Sequence, residues 1–168
     1  IPFGFDPFVG FSLEVYPLAR EQASVAGNTD VLVHHGSTDA PTVDVVETLV
    51  TNDATIVDDL AYGQFAGYLE LPTADYRIEV RDQTGVVTVA SYDAPLATLQ
   101  LDGAALAVLA SGFLNPANNS NGPAFGLYVA LPTGGALIPL PLSIPSATKD
   151  LERIPANVYP NPATDFVN

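Results

Sequence analysis

Apolar and polar positions along this chain change over in short bursts and keep no helical spacing. The most ordered stretch is Val31 to Val46, VLVHHGSTDAPTVDVV, where the apolar runs Val31-Leu32-Val33 and Val43 to Val46 flank a Gly-Ser-Thr-Asp-Ala-Pro turn. That pattern predicts two buried strands, Val31 to His35 and Thr42 to Glu47, with a polar connection. Further strands are predicted over Ala54 to Val57, Gly67 to Leu71, Tyr76 to Arg81, Val86 to Tyr92, Ala104 to Ala110, Phe125 to Leu131 and Ala136 to Leu140. Turn signals such as Thr51-Asn52-Asp53, Asp82-Gln83-Thr84-Gly85 and Asp102-Gly103 separate them. Leu106 to Ala110 is Ala-rich and would suit a short helix, but turns on both sides predict a buried strand. Many short strands divided by turns predict an all-β chain folded as a β-sandwich over residues 30–142.

Outside that unit the pattern changes. Phe11, Leu13 and Val15 alternate with Ser12, Glu14 and Tyr16, which predicts a half-buried strand closed by Pro17, and Leu18 to Asp30 then turns polar. The order Gly4-Phe5-Asp6-Pro7 followed by a strand ending at Pro17 is repeated as Gly112-Phe113-Leu114-Asn115-Pro116 followed by a strand ending at Pro132. Residues 1–22 therefore read as the closing strands of a preceding repeat copy, with an N-terminal strand of the same sandwich as the open alternative. Residues 143–156 read as a Pro-rich linker. Residues 157–168 read as the start of a further, truncated domain.

Composition narrows the function classes. Hydrophobic residues make up 48% of the chain, enough for a packed core, while 15 Pro and 13 Gly argue against long helices. Nineteen Asp and Glu against five Lys and Arg give a formal charge of −14, which repels nucleic acid and anionic membrane surfaces. Without Cys there is neither a disulfide nor a thiolate metal site. Met is also absent, so Ile1 is expected to lie downstream of the translational start and of any signal peptide. No apolar run approaches the roughly 20 residues of a membrane-spanning helix.

Two resemblances add to this reading. HHGSTDAPTVDV at His34 to Val45, with AYGQFAGYLELP at Ala61 to Pro72, resembles the secreted prokaryotic domain-of-unknown-function family 4397. The family signature falls on His35, Ser37, Asp39, Ala40, Pro41, Val43, Asp44 and Val45, and a second segment falls on Tyr62, Gly63, Gly67, Tyr68, Leu71 and Pro72. The resemblance implies an immunoglobulin-like antiparallel β-sandwich on exported proteins, often beside neighbouring copies of itself, and it implies no reaction. VYPNPATDFVN at Val158 to Asn168 is similar to the opening of the C-terminal sorting domain of the type IX secretion system of Bacteroidota. Tyr159, Pro160, Asn161, Pro162, Ala163, Thr164 and Asp165 carry that match. It implies the type IX secretion machinery as a partner, export across the outer membrane, and either attachment at the cell surface or release.

The residues that could carry chemistry have structural readings beside the functional ones. His34 and His35 are adjacent, so in a strand they point to opposite faces and cannot both chelate one ion. Asp39 is expected to cap the turn before Pro41, and one histidine is expected to hydrogen-bond across the sheet. Asp39, Asp44, Asp58 and Asp59 are candidate calcium ligands, though no EF-hand or Gly-Asp repeat spacing supports them. The Gly-x-Ser-x-Gly elbow is absent, and no catalytic set is assigned. Tyr62, Phe65 and Tyr68 are expected as core and sheet-corner residues, with a carbohydrate platform as the alternative. The loop Asn115 to Pro123 is the candidate contact surface. Together these readings describe a non-enzymatic exported module, a structural or adhesive spacer without a cofactor. The alternatives are a carbohydrate- or calcium-binding module with a cell-surface glycan as partner, and a filament subunit assembling by strand exchange through Phe8 to Tyr16.

Overall fold

The computed structural model describes residues 12–143, and these form nine strands: β1 (Asn28–His35), β2 (Val43–Glu47), β3 (Ala54–Leu60), β4 (Phe65–Pro72), β5 (Asp75–Asp82), β6 (Thr88–Pro95), β7 (Ala105–Ser111), β8 (Gly126–Ala130) and β9 (Ile138–Pro139). Each predicted strand between Val31 and Leu140 is present with its ends moved by a few residues, and the Ala-rich segment is β7. The alternation from Phe11 makes no strand over its described part, Ser12–Tyr16. Leu13 and Val15 are 78% and 68% exposed there, because no second strand offers them a face to bury against.

The strands make two sheets, in the orders β4-β1-β7-β8-β9 and β3-β2-β5-β6. Their inner faces meet in one core. Val31, Leu106, Leu127 and Val129 come from the first sheet, and Val45, Val57, Val80 and Tyr92 from the second. The period of two explains the selection: in β8, buried Leu127 and Val129 alternate with half-buried Gly126, Tyr128 and Ala130. β2 is buried at all five positions and lies inside its sheet, between β3 and β5.

The all-β sandwich is the expected architecture, and the structure adds its strand order. β1 and β2 are not a hairpin. They lie in opposite sheets, so the Gly36–Thr42 connection carries the chain across the sandwich at one end. All sheet neighbours are antiparallel except β1 and β7, which run parallel from Asp30 beside Ala105 to His35 beside Ala110. Tyr76 supplies the sheet-corner bond, its buried ring topped by a hydroxyl that donates to the Pro72 carbonyl.

Two segments are fastened to the outside of this frame. After β9 the chain crosses to β6, where Asp93 N–H donates to Pro141 O and Ser143 N–H to Ser91 O. Before β1, residues 16–24 form a strap over the outer face of β4 and β1. Tyr16 packs on the rings of Phe65 and Tyr68, and the Arg20 guanidinium lies 4.6 Å from the Tyr68 ring centre. Arg20 also pairs with buried Asp30 and, at 2.8 Å, with Glu70. Residues 1–11 and 144–168 lie outside the described residues, and with them half of the proposed preceding copy, nearly all of the linker and the sorting-signal residues Tyr159, Pro160, Asn161, Pro162 and Asp165.

Candidate functional site

The chemistry-bearing residues of Val31 to Val46 gather where the Gly36–Thr42 connection crosses between the sheets. β1 ends in the two histidines, and strand alternation sends them to opposite sides. His34 faces outward, stacked on Phe65 at 4.2 Å with Nδ1 3.0 Å from the Gln64 carbonyl. His35 points inward and is 1% exposed. Its Nε2 lies 3.0 Å from the Pro41 carbonyl, which can only accept, so Nε2 carries the hydrogen and Nδ1 faces the Ser37 amide at 3.4 Å. Both ring nitrogens are thus spent on the shape of the connection. Burial holds the His34 pKa below its ordinary value, against the raising effect of the Gln64 carbonyl.

Ser37 and Asp39 fix a second piece of chain. Ser37 is fully buried and donates to the Gly112 carbonyl at 2.7 Å. The Asp39 carboxylate accepts from Leu114 N–H, Asn115 N–H and the Asn119 side-chain amide, each at 2.9 Å. Burial works to raise the Asp39 pKa, but the Asn115 and Leu114 amides outweigh it and hold the carboxyl below its usual range. The structure gives Asp39 a longer reach than the expected local cap before Pro41. Besides the Ser37 hydroxyl of its own turn, at 3.5 Å, Asp39 anchors a loop 75 residues further on, because the crossover brings its side chain beside that loop. The Asn115–Pro123 loop is pinned by that carboxylate and carries a 3-10 turn at Pro116–Asn118.

The other candidates are spread over the frame. Asp44 is buried in β2 and accepts from Asp59 N–H at 2.8 Å, on a different partner from Asp39. Asp58 and Asp59 are exposed in β3. Among the described residues, no three acidic or histidine side chains group as ligands for one ion. Tyr62, Phe65 and Tyr68 do not enter the core. Tyr62 is 38% exposed, and Phe65 and Tyr68 face outward beneath the strap, because Gly67 at φ +80° and the register break between Leu32 and His34 bulge β4.

Sequence reasoning missed two anchors. Glu47, 1% exposed, accepts from the amides of Leu49, Val50 and Thr51 and from the Thr51 hydroxyl. The available signal was an acid at a strand end with Thr four residues on, before Asn52-Asp53. Asp30 is fully buried and accepts from Arg20 and from Ser24 N–H, while its Oδ1 has no partner. Burial pushes the Asp30 pKa up, and the Ser24 amide with the Arg20 guanidinium pull it below the ordinary value. What this end of the sandwich does chemically is hold backbone: buried His35 and Ser37 and half-buried Asp39 fix the loops on either side of it.

A family model described as Domain of unknown function (DUF4397) matches residues 29–126, from the start of β1 to the start of β8. No curated protein and no solved structure matches the chain.

Proposed function

The chain belongs to the DUF4397 family, and we propose that it is a non-enzymatic, exported β-sandwich module that serves as a structural or adhesive spacer on the cell surface or in the medium. The observation that carries this reading is the use made of the polar residues His35, Ser37 and Asp39. Their hydrogen-bonding groups are turned onto backbone of the chain itself, which favours a scaffold over a reaction centre. The Tyr159-Pro160-Asn161-Pro162 segment supports delivery by type IX secretion in a Bacteroidota host. The net charge of −14 supports a surface that stays apart from nucleic acid and anionic membranes. Calcium binding gains no support from the distribution of Asp39, Asp44, Asp58 and Asp59, since Asp39 and Asp44 are each occupied by separate amide donors.

The test is export of the parent protein from cells that use this secretion route. We expect it at the surface or in the medium of a competent strain and in the periplasm of a secretion-deficient one, with the same loss of export after alanine replacement of Tyr159 to Pro162. Retention inside the competent strain, or export that ignores the replacement, overturns the delivery arm. A chelator-dependent change in the oligomeric state of the exported protein would overturn the metal-free spacer.

A further inference from the structure

The loops held by Ser37 and Asp39 are the walls of something. Between them, on the outer face of the five-stranded sheet, lies a groove of about 370 Å³, within the roughly 300–1,000 Å³ of small-molecule sites. Its floor is Tyr128, which alternates with core residues Leu127 and Val129 and so turns its ring outward. The ring lies against the strand at Gly126, where an added Cβ would come within 3.2 Å of it. Phe113 and Leu137 form apolar sides, and Phe113 is seated by the absence of a side chain at Gly122.

The polar groups on the groove are neutral. Thr38, Ser111 and Tyr128 are the hydroxyl-bearing residues of its lining, and no charged residue lines it, although the chain as a whole carries −14. An anionic ligand would meet repulsion without a counter-charge, and a cation would find no carboxylate. A neutral ring with one apolar face and a rim of hydroxyls matches both halves of the lining. The walls are already in place for it. Gly36 N–H bonds Ala110 O, Ser37 holds Gly112, Asp39 holds Leu114, and Phe113 N–H bonds Pro123 O. Little ordering is left to be done on binding.

We propose that this groove is a binding site for a neutral saccharide, with the apolar face of a sugar ring on Tyr128 and its hydroxyls met by Thr38 and Ser111. The proposal deepens the adhesive arm of the reading above and rests on the module being exported. Its test is independent of export.

The ¹⁵N-labelled chain is titrated with maltotriose, cellotriose, mannotriose and chitotriose, with trigalacturonate as the anionic control, and amide shifts are followed. The expected result is saturable shifts at Gly36 to Thr38, Ser111 to Phe113 and Leu137 with at least one neutral trisaccharide and none with trigalacturonate. Tyr128→Ala should weaken that binding about tenfold, and Tyr128→Phe, which keeps the ring, less. If Tyr128→Ala does not fold, Ser111→Val and Leu137→Ser take its place and should each weaken binding. No saturable shift with any neutral trisaccharide, shifts that map away from the groove, or equal affinity in the variants overturns the site. Saturation by an apolar tripeptide but by none of the sugars also overturns it. A negative titration beside normal export sinks the saccharide site alone.

Discussion

Glu47 shows what a single buried acid does in this protein. It lies at the end of β2 where the chain turns sharply, and its two oxygens collect the amides of Leu49, Val50 and Thr51. Replacing it by Gln sets an NH₂ group against N–H donors, and Glu47→Gln is expected to cost about 2–3 kcal/mol in denaturant unfolding. Burial alone would raise the pKa of this carboxyl, and the amides and hydroxyl lower it below the ordinary value. A carboxyl whose folded pKa is depressed contributes stability that is complete above its unfolded pKa of about 4.3 and lost as pH falls through the folded value. Unfolding free energy should therefore fall steeply below about pH 5 in the wild type and less steeply in Glu47→Gln. Parallel pH profiles for the two proteins would remove Glu47 from that role. Asp39 makes the same kind of contact with a different reach. Asp39→Asn should raise amide exchange at Leu114 and Asn115 while leaving β2 and β5 protected, and uniform loss of protection would show that the loop and the frame fold as one unit.

Strands were easier to read than their attachments. Each strand between Val31 and Leu140 is a short apolar or alternating run closed by Gly, Pro, Asn or Asp, so its existence depends on neighbours in the sequence. The strap depends on residues far away. Arg20 finds Asp30, Glu70 and Tyr68, and nothing in the text around Arg20 announces the last two. The aromatic trio was misplaced for a related reason. The Gly67 bulge that turns Phe65 and Tyr68 outward is a property of the β1–β4 register, and the alternation of β4 by itself does not contain it. The strap is held at few points, so it should be the first element to open. Arg20→Ala is expected to speed amide exchange and proteolytic cleavage over residues 17–26 without changing the core, and Asp30 should then titrate at higher pH than in the wild type. An unchanged cleavage pattern would mean that Tyr16 and the backbone bonds suffice. Gly112 is the opposite case, a rigid corner. Its φ is +81° and an added Cβ would fall 2.2 Å from the Ala124 carbonyl oxygen, so Gly112→Ala should cost about 3 kcal/mol and disturb Phe113 first.

At the scale of the molecule, the sequence announced a sandwich but not which strand lies in which sheet. Apolar alternation says that a strand has one face in a core, and either sheet satisfies that demand. The crossover at Gly36–Thr42 and the parallel pairing of β1 with β7 settle it, and both are long-range choices. The groove shares that character: Gly36 and Thr38 stand together in the sequence, while Ser111, Phe113, Tyr128 and Leu137 join them only through the sheet and its loops. Charge is the one whole-molecule property that was plain from the start, and it has a consequence for stability. Arg20, Arg77 and Arg81, the basic residues within 12–143, are all engaged in ion pairs, so the acids that remain repel one another across a small surface. Exposed ion pairs contribute little, about 0–1 kcal/mol each, and salt screens them together with the repulsion. With 19 acids against five bases the repulsion is the larger of the two. Raising sodium chloride from a few millimolar to physiological strength should therefore raise the thermal midpoint. The Debye length contracts to about 8 Å over that range, so repulsion between carboxylates further apart than that is largely screened. A midpoint that falls with salt would assign the larger share to the three arginines and would make the Arg20 strap a stabilising element of the whole sandwich.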